Sequence, residues 1–217
     1  MVELSCRSLD KRTNQFNEID MNKPYVDAAG RNKEAIFKVL KPFLDEGETL
    51  LEIGSGTGQH GVYCCERLPH LQWQPTELEY NIPGIRQWIA DSNARNMLDP
   101  LVLDVTSYNW CESHYDFVFT SNTVHYMSWS NVACMFSGVS SMLTDSGLFF
   151  IYGPFHSSRL PATLGNKRLD EWLQRQSPEF RIRSIDELEN LGREFDFRLK
   201  HNFLMPANNY ILVFCCR

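Results

Sequence analysis

The chain has 217 residues, 43 % hydrophobic and 22 % charged, a size and composition that favour one domain with a substantial buried core. A formal net charge of -6 and a pI near 5.5 argue against DNA or long RNA as partners, because polyanion binders usually carry a basic face. No stretch approaches the roughly 18 apolar residues of a membrane span, and the N-terminus has no apolar signal core, so a cytoplasmic protein, monomer or homodimer, is expected.

Residues 1–24 are polar and aperiodic and read as an arm or lid ahead of one domain over 25–217. From Ala28 onward, Ile36, Val39, Leu40, Phe43 and Leu44 fall at helical spacing; Pro42 disturbs the end of that helix and Asp45-Glu46-Gly47 closes it. A strand over 49–53 runs into a glycine loop, and a helix is predicted over 59–67. Residues 71–75 alternate as a strand that stops at Thr76-Glu77, followed by a predicted helix over 82–95. A short strand, 101–103, ends at Asp104, and a fourth, 115–120, ends at Ser121-Asn122. Val132, Met135, Phe136, Val139, Met142 and Leu143 then mark an amphipathic helix, and Asp145-Ser146-Gly147 turns into a fifth strand over 148–151.

This alternation of strand and helix implies a doubly wound, mostly parallel α/β sheet. The last third differs. Ser184-Ile185-Asp186-Glu187 spells a capping box opening a helix through Leu191, and two strand-like stretches follow at 197–204 and 210–215. Residues 205–209 between them leave no room for a crossover helix, so the sheet is expected to end in an antiparallel hairpin.

Seven cysteines, including the adjacent pairs Cys64-Cys65 and Cys215-Cys216, contain no C-x-x-C. That spacing fits neither a zinc site nor a disulfide framework, so reduced thiols and no metal are expected.

The chemistry starts at Gly54, Gly56 and Gly58, spaced G-x-G-x-G between a strand and a helix. Glycine permits positive φ and close approach of the backbone to a ligand. Dinucleotide enzymes space these glycines G-x-G-x-x-G and seat a pyrophosphate on the helix N-terminus. Here the spacing is shorter and Glu52 precedes the loop, a poor neighbour for a pyrophosphate but suited to a cation such as S-adenosylmethionine. Glu77, at the end of the second strand, is placed to accept bonds from two ribose hydroxyls, and Asp104, followed by Val105, to reach an adenine amino group. Taken singly, a glycine turn or a strand-end carboxylate has a plain structural reading; in order, at three successive strand ends, they point to the sulfonium cofactor. Ser55, Gln59, His60 and Ser121 complete the expected cofactor set, and Arg31 and Asn32, opening the first helix, are placed to reach the methionine carboxylate.

The segments AGRNKEAI, LLEIGSGTGQHGVYCCERLPHLQWQPTE, LVLDVT, FVFTSNTVHYMSW, FFIYGPF and MPANNYILVF resemble the family once called domain of unknown function 938, which includes methyltransferase-like protein 26. The resemblance runs from about Ala28 to Phe214. Two positions depart from it: Gly54 stands where alanine is common, and Pro75-Thr76-Glu77 stands where the family has P-S-D. It implies a seven-stranded, Rossmann-like class I methyltransferase fold and S-adenosylmethionine as cofactor, with S-adenosylhomocysteine as product, and supplies no substrate.

The acceptor is expected at the carboxyl ends of the parallel strands. There the fourth strand delivers Asn122 and His125, the fifth Tyr152, Pro154 and His156, and the hairpin Asn208 and Asn209. His125, Asn122 and Asn208 are the catalytic candidates, His125 as a base because imidazole titrates near neutrality. Each has a plain alternative: a histidine bonded beneath its loop, or asparagines serving a turn. Tyr152, Pro154, His156, Asn209 and Trp129 are the substrate-binding candidates, while Trp73, Trp88 and Trp110 are read as packing residues. The expected activity is methyl transfer to a small molecule. The alternatives are a non-catalytic protein that binds the same cofactor and, more weakly, a nicotinamide-dependent oxidoreductase.

Overall fold

Residues 23–107, 110, 113–158 and 160–216 are described in the computed structural model of the chain. The expected arm lies outside these residues apart from Lys23 and Pro24. Seven strands form one sheet in the order β3-β2-β1-β4-β5-β7-β6. They are β1 Thr49–Ile53, β2 Gln72–Glu77, β3 Leu101–Val102, β4 Tyr115–Ser121, β5 Leu143–Pro154, β6 Phe197–Met205 and β7 Asn209–Cys216. Helices α1 Asp27–Leu44, α2 Gln59–Cys65, α3 Ile82–Ala90, α4 Trp129–Met142, α5 Leu164–Gln176 and α6 Ile185–Glu194 connect or cover them.

The two faces of the sheet follow from side-chain alternation along each strand. In β1, Leu50 joins a cluster with Trp73, Phe117, Phe119 and Phe150, while its neighbour Leu51 joins Val118, Phe149, Phe136 and Phe214 on the other face. Helix α1 closes the first face with Ile36, Leu40 and Leu44, one turn apart, and α4 closes the second with Val132, Met135, Phe136 and Val139. Both faces are therefore covered, which is why β1, β4 and β5 read as apolar runs.

β1 through β5 pair in parallel, and β7 runs antiparallel to both β5 and β6. The hairpin expected from the short 205–209 connection is present, and its second strand is inserted between β5 and β6. Its turn is a single 3-10 turn, 206–208, with Ala207 and Asn208 at positive φ. Because β6 runs with the parallel strands, this turn lies at the same carboxyl edge as the glycine loop. The capping box at Ser184 and Glu187 is formed in both directions.

Three local expectations change. Helix α3 ends at Ala90 rather than near residue 95, because Ser92 and Asn96 bond backbone carbonyls of Ile89, Leu68 and Leu71 and turn the chain. Asp145-Ser146-Gly147 is no turn but part of β5, which starts at Leu143 and absorbs a register shift opposite Tyr115 and Phe117. Finally, α5 occupies a stretch for which the pattern predicts no element; only Asn166 and Leu173 of it are buried, too few to leave a stripe in the sequence. No described helix is long and apolar enough to cross a membrane.

Candidate active site

The glycine loop is held open by its neighbours rather than by side chains of its own. Ser55 donates its N–H to the Thr76 carbonyl at 2.9 Å, and its hydroxyl accepts the Thr76 N–H at 3.2 Å, tying the loop to β2. Gly56 sits at φ +58°, and a Cβ there would meet nothing within 4 Å: it would project into an open cavity. Gly58, at φ +85°, plays a different part, because a Cβ there would press on Ile85 of α3 at 3.1 Å. One glycine makes room for a ligand, and the other lets two helices approach.

Three adjoining cavities line the carboxyl edge. The central one, about 520 Å³, is walled by the loop from Gly54 to Thr57, by His60, and by Ser121, Asn122, Thr123 and His125 at the end of β4. It shares Gly54, Glu77, Thr123 and Tyr126 with a cavity of about 490 Å³ that also takes in Asp104, Val105, Tyr80, Met127 and Phe180. On the opposite side it shares Ala28, Asn122 and Leu169 with a cavity of about 400 Å³ lined by Arg31, Asn32, Tyr152, Pro154, Pro206 and Asn209. A wider groove of about 730 Å³ lies beyond the far end of α2, around Arg67, Asn93 and Arg95, away from the strand ends that carry these groups.

Glu77 stands where the first two cavities meet. One carboxylate oxygen accepts the Gly56 N–H at 3.2 Å and the other accepts the Leu78 N–H. Asp104 accepts from the Thr106 backbone and hydroxyl, at 2.9 and 2.7 Å, and these bonds hold its carboxyl below the usual range. His60 is buried; burial, and then the charge of Lys33, push its pKa down to about 4, and its Nε2 lies 3.4 Å from the Ser121 hydroxyl. His125 is only 4 % exposed, and burial likewise lowers its pKa to about 4. Its Nδ1 is sealed from solvent without a hydrogen-bond partner, while Tyr126 stacks at 4.5 Å and reaches out to Trp172 and Phe180.

Several residues expected at the site stand elsewhere. Glu52 is 1 % exposed and lines none of the three cavities. Its side chain leaves β1 on the α2 face, where its carboxylate accepts the Trp73 indole N–H at 2.9 Å, and burial raises its pKa to about 7. It lies beneath the loop, away from the cavity walls. Gln59 lines none of the three cavities; its Oε1 accepts the Val26 N–H at 2.7 Å and the Thr57 hydroxyl at 2.8 Å, fastening the start of α1 to the loop, while its Nε2 is buried without a partner among the described residues. Arg31 and Asn32 line the third cavity with Tyr152 and Asn209 rather than the central one with the glycines.

Of the two turn asparagines, Asn209 lines the third cavity, whereas Asn208 is exposed at φ +57° and lines none. Trp129 opens α4 with the Arg183 guanidinium 5.4 Å above its ring, outside the cavities. His156 pairs its backbone with Arg183 and Ile185, both at 2.9 Å, and its side chain takes no part in the walls. In turn, sequence patterning gave no sign of Thr123, Tyr126, Leu169 or Phe180 as wall residues. The first two follow Asn122 so closely that proximity alone could have flagged them; the others arrive on or after α5. Among the described residues no cluster of three His, Cys, Asp or Glu side chains is arranged to hold a metal ion.

The family described as "Protein of unknown function (DUF938)" matches residues 23–215. Among solved structures, a putative O-methyltransferase from Nostoc punctiforme PCC 73102 superposes with a TM-score of 0.76 at 11 % identity, covering 85 % of this chain and 55 % of that one. Human N-acetylserotonin methyltransferase in complex with SAM gives 0.75 at 12 % identity, over 88 % and 53 %. PigF with SAH gives 0.69 at 16 % identity, over 87 % and 58 %. The chain thus spans little more than half the length of these structures, and shares their fold: a Rossmann-like sheet with reversed C-terminal pairing.

Proposed function

Because the chain belongs to the DUF938 family and carries the methyltransferase fold, we propose that it transfers a methyl group from S-adenosylmethionine to a small-molecule acceptor. Within the family we place it beside methyltransferase-like protein 26, on the GTGQH, YGPF and MPANN segments. One observation carries the reading. Gly56 presents bare backbone to the cavity wall it shares with Glu77, so a nucleoside can lie against the loop with a carboxylate at its edge.

The residues present fit that cofactor. Glu77 is placed for ribose hydroxyls, and Asp104 with Val105 lines the end of the second cavity where a base belongs. Charge-assisted hydrogen bonds of this kind contribute about 1.5–3 kcal/mol each. Ser121, His60 and the first turn of α1 wall the central cavity, where the amino-acid end is accommodated. When bound, the cofactor supplies an electrophilic methyl group on a sulfonium that departs as a neutral thioether.

What the chain must do is align an acceptor with that methyl, and orientation of this kind can supply about 7–11 kcal/mol. The junction of the central and third cavities, at Asn122, is the place for it. His125 lines the central cavity with a neutral imidazole, its Nδ1 sealed away from solvent. A base with so low a pKa suffices, because the acceptor's proton becomes strongly acidic as its lone pair is drawn into the new bond.

Calorimetry with S-adenosylmethionine and with NAD tests the cofactor: binding of the first alone is expected, and uptake of NAD alone would remove the reading. Labelled methyl donor with a metabolite extract then tests the acceptor class. Label in small molecules is expected; label confined to RNA or protein overturns that class, and binding without transfer favours a non-catalytic cofactor-binding role.

A further inference from the structure

The third cavity differs in chemistry from the two beside it. Its wall carries a cation, Arg31, exposed on the second turn of α1, and none of the ion pairs among the described residues engages it. Next to it, the Asn32 Oδ1 is sealed from solvent with no hydrogen-bond partner. The largely buried Tyr152 lines the same wall as Asn32 and Asn209. A buried acceptor left unmatched costs on the order of 1–3 kcal/mol, so the occupant that completes this wall brings an N–H or O–H. The rest of the wall includes Ala28, Ala35 and Leu169, and the volume of about 400 Å³ suits a compact hydrocarbon body.

We propose that this cavity is the acceptor subsite and that the acceptor is a small carboxylic acid bearing a hydroxyl or amino group. The carboxylate pairs with the Arg31 guanidinium, whose fork matches it in two hydrogen bonds. The N–H or O–H donates to Asn32 Oδ1, and the passage at Asn122 joins this cavity to the central one. The inference rests on the methyltransferase reading, since it needs a methyl donor next door. In the transfer, a lone pair of the acceptor's oxygen or nitrogen forms the bond to the methyl carbon. The carbon–sulfur pair stays on sulfur, and the acceptor's proton leaves to His125 or to water.

The test uses the full chain saturated with S-adenosylhomocysteine, so that no turnover occurs. Calorimetry is run with matched pairs of hydroxy or amino acids and their neutral carboxamides, over aliphatic and aromatic bodies. Wild type is expected to bind at least one acid about tenfold tighter than its amide. Arg31→Gln, a surface change, is expected to erase that preference while S-adenosylhomocysteine affinity stays within about twofold. Absence of an acid preference in every pair overturns the proposal. So does a tenfold loss of S-adenosylhomocysteine affinity in Arg31→Gln, which would assign Arg31 to the cofactor's own carboxylate. Failure of wild type to bind S-adenosylhomocysteine would instead remove the underlying methyltransferase reading.

Discussion

Glu77→Ala leaves the Gly56 and Leu78 N–H groups without their side-chain acceptor and empties the wall shared by two cavities. Calorimetry is expected to show S-adenosylmethionine affinity reduced at least about tenfold, with circular dichroism unchanged. Gly56→Val should abolish binding, because its branched side chain fills the cavity; the positive φ makes valine strained there as well, so the melting temperature should also fall. Glu52, which the sequence offered as a partner for the sulfonium, is expected to behave differently. Its folded pKa of about 7 exceeds the ordinary 4.5, so its stabilising contribution is complete below about pH 4.5 and is lost as pH rises through 7. Gln can accept the Trp73 indole N–H without titrating. Glu52→Gln should therefore gain stability over wild type between pH 5 and pH 8, on the order of 3 kcal/mol, measured by urea unfolding. His60 and His125 act in the opposite sense: lowered from 6.5 to about 4, they withdraw stability as pH falls through that window. Which carboxylate opens on a cavity and which is buried beneath the loop depends on the side of β1 or β2 each leaves, and a strand-end glutamate in a sequence does not declare that.

Helices α5 and α6 both open on a hydroxyl cap, yet they do different work. Ser184 caps α6, whose Leu188 and Leu191 are buried in the core, so Ser184→Ala should lower global stability by about 1 kcal/mol in denaturant unfolding. Thr163 caps α5, which buries little beyond Leu173 and places Leu169 on the walls of two cavities. Thr163→Ala should leave the global unfolding midpoint almost unchanged and raise hydrogen exchange across 164–176, because a loosely packed helix opens on its own. The contrast explains what was legible at this scale. The capping box and apolar stripe of α6 are written in adjacent residues. The charged run that forms α5 acquires its role only by lying across the strand ends. The early stop of α3 is similar, since the carbonyls that Asn96 captures belong to the distant residues Leu68 and Leu71.

Across the whole molecule, the sheet's second face is held by aromatic contacts that join separate strands. Phe136 meets Phe149 and Phe214 at 5.4 Å and Phe197 at 5.9 Å between ring centroids, linking α4 to β5, β6 and β7. Phe136→Ala should destabilise the fold by about 3–5 kcal/mol in chemical unfolding, far more than any single cavity-wall change. The order of the strands and of the helices other than α5, the glycine loop, the acidic strand ends and the reversed hairpin were fixed by local pattern: periodicity, turn chemistry and the length of connections act between near neighbours in the chain. Folding alone decided that β7 enters between β5 and β6, that α5 roofs the site, that Glu52 turns inward and that Arg31 joins Tyr152 and Asn209 in a compartment apart from the glycines. Those outcomes depend on which face of an element is covered and by what, and that is settled by contacts between residues far apart in the chain, each too weak to leave a mark on the sequence around it.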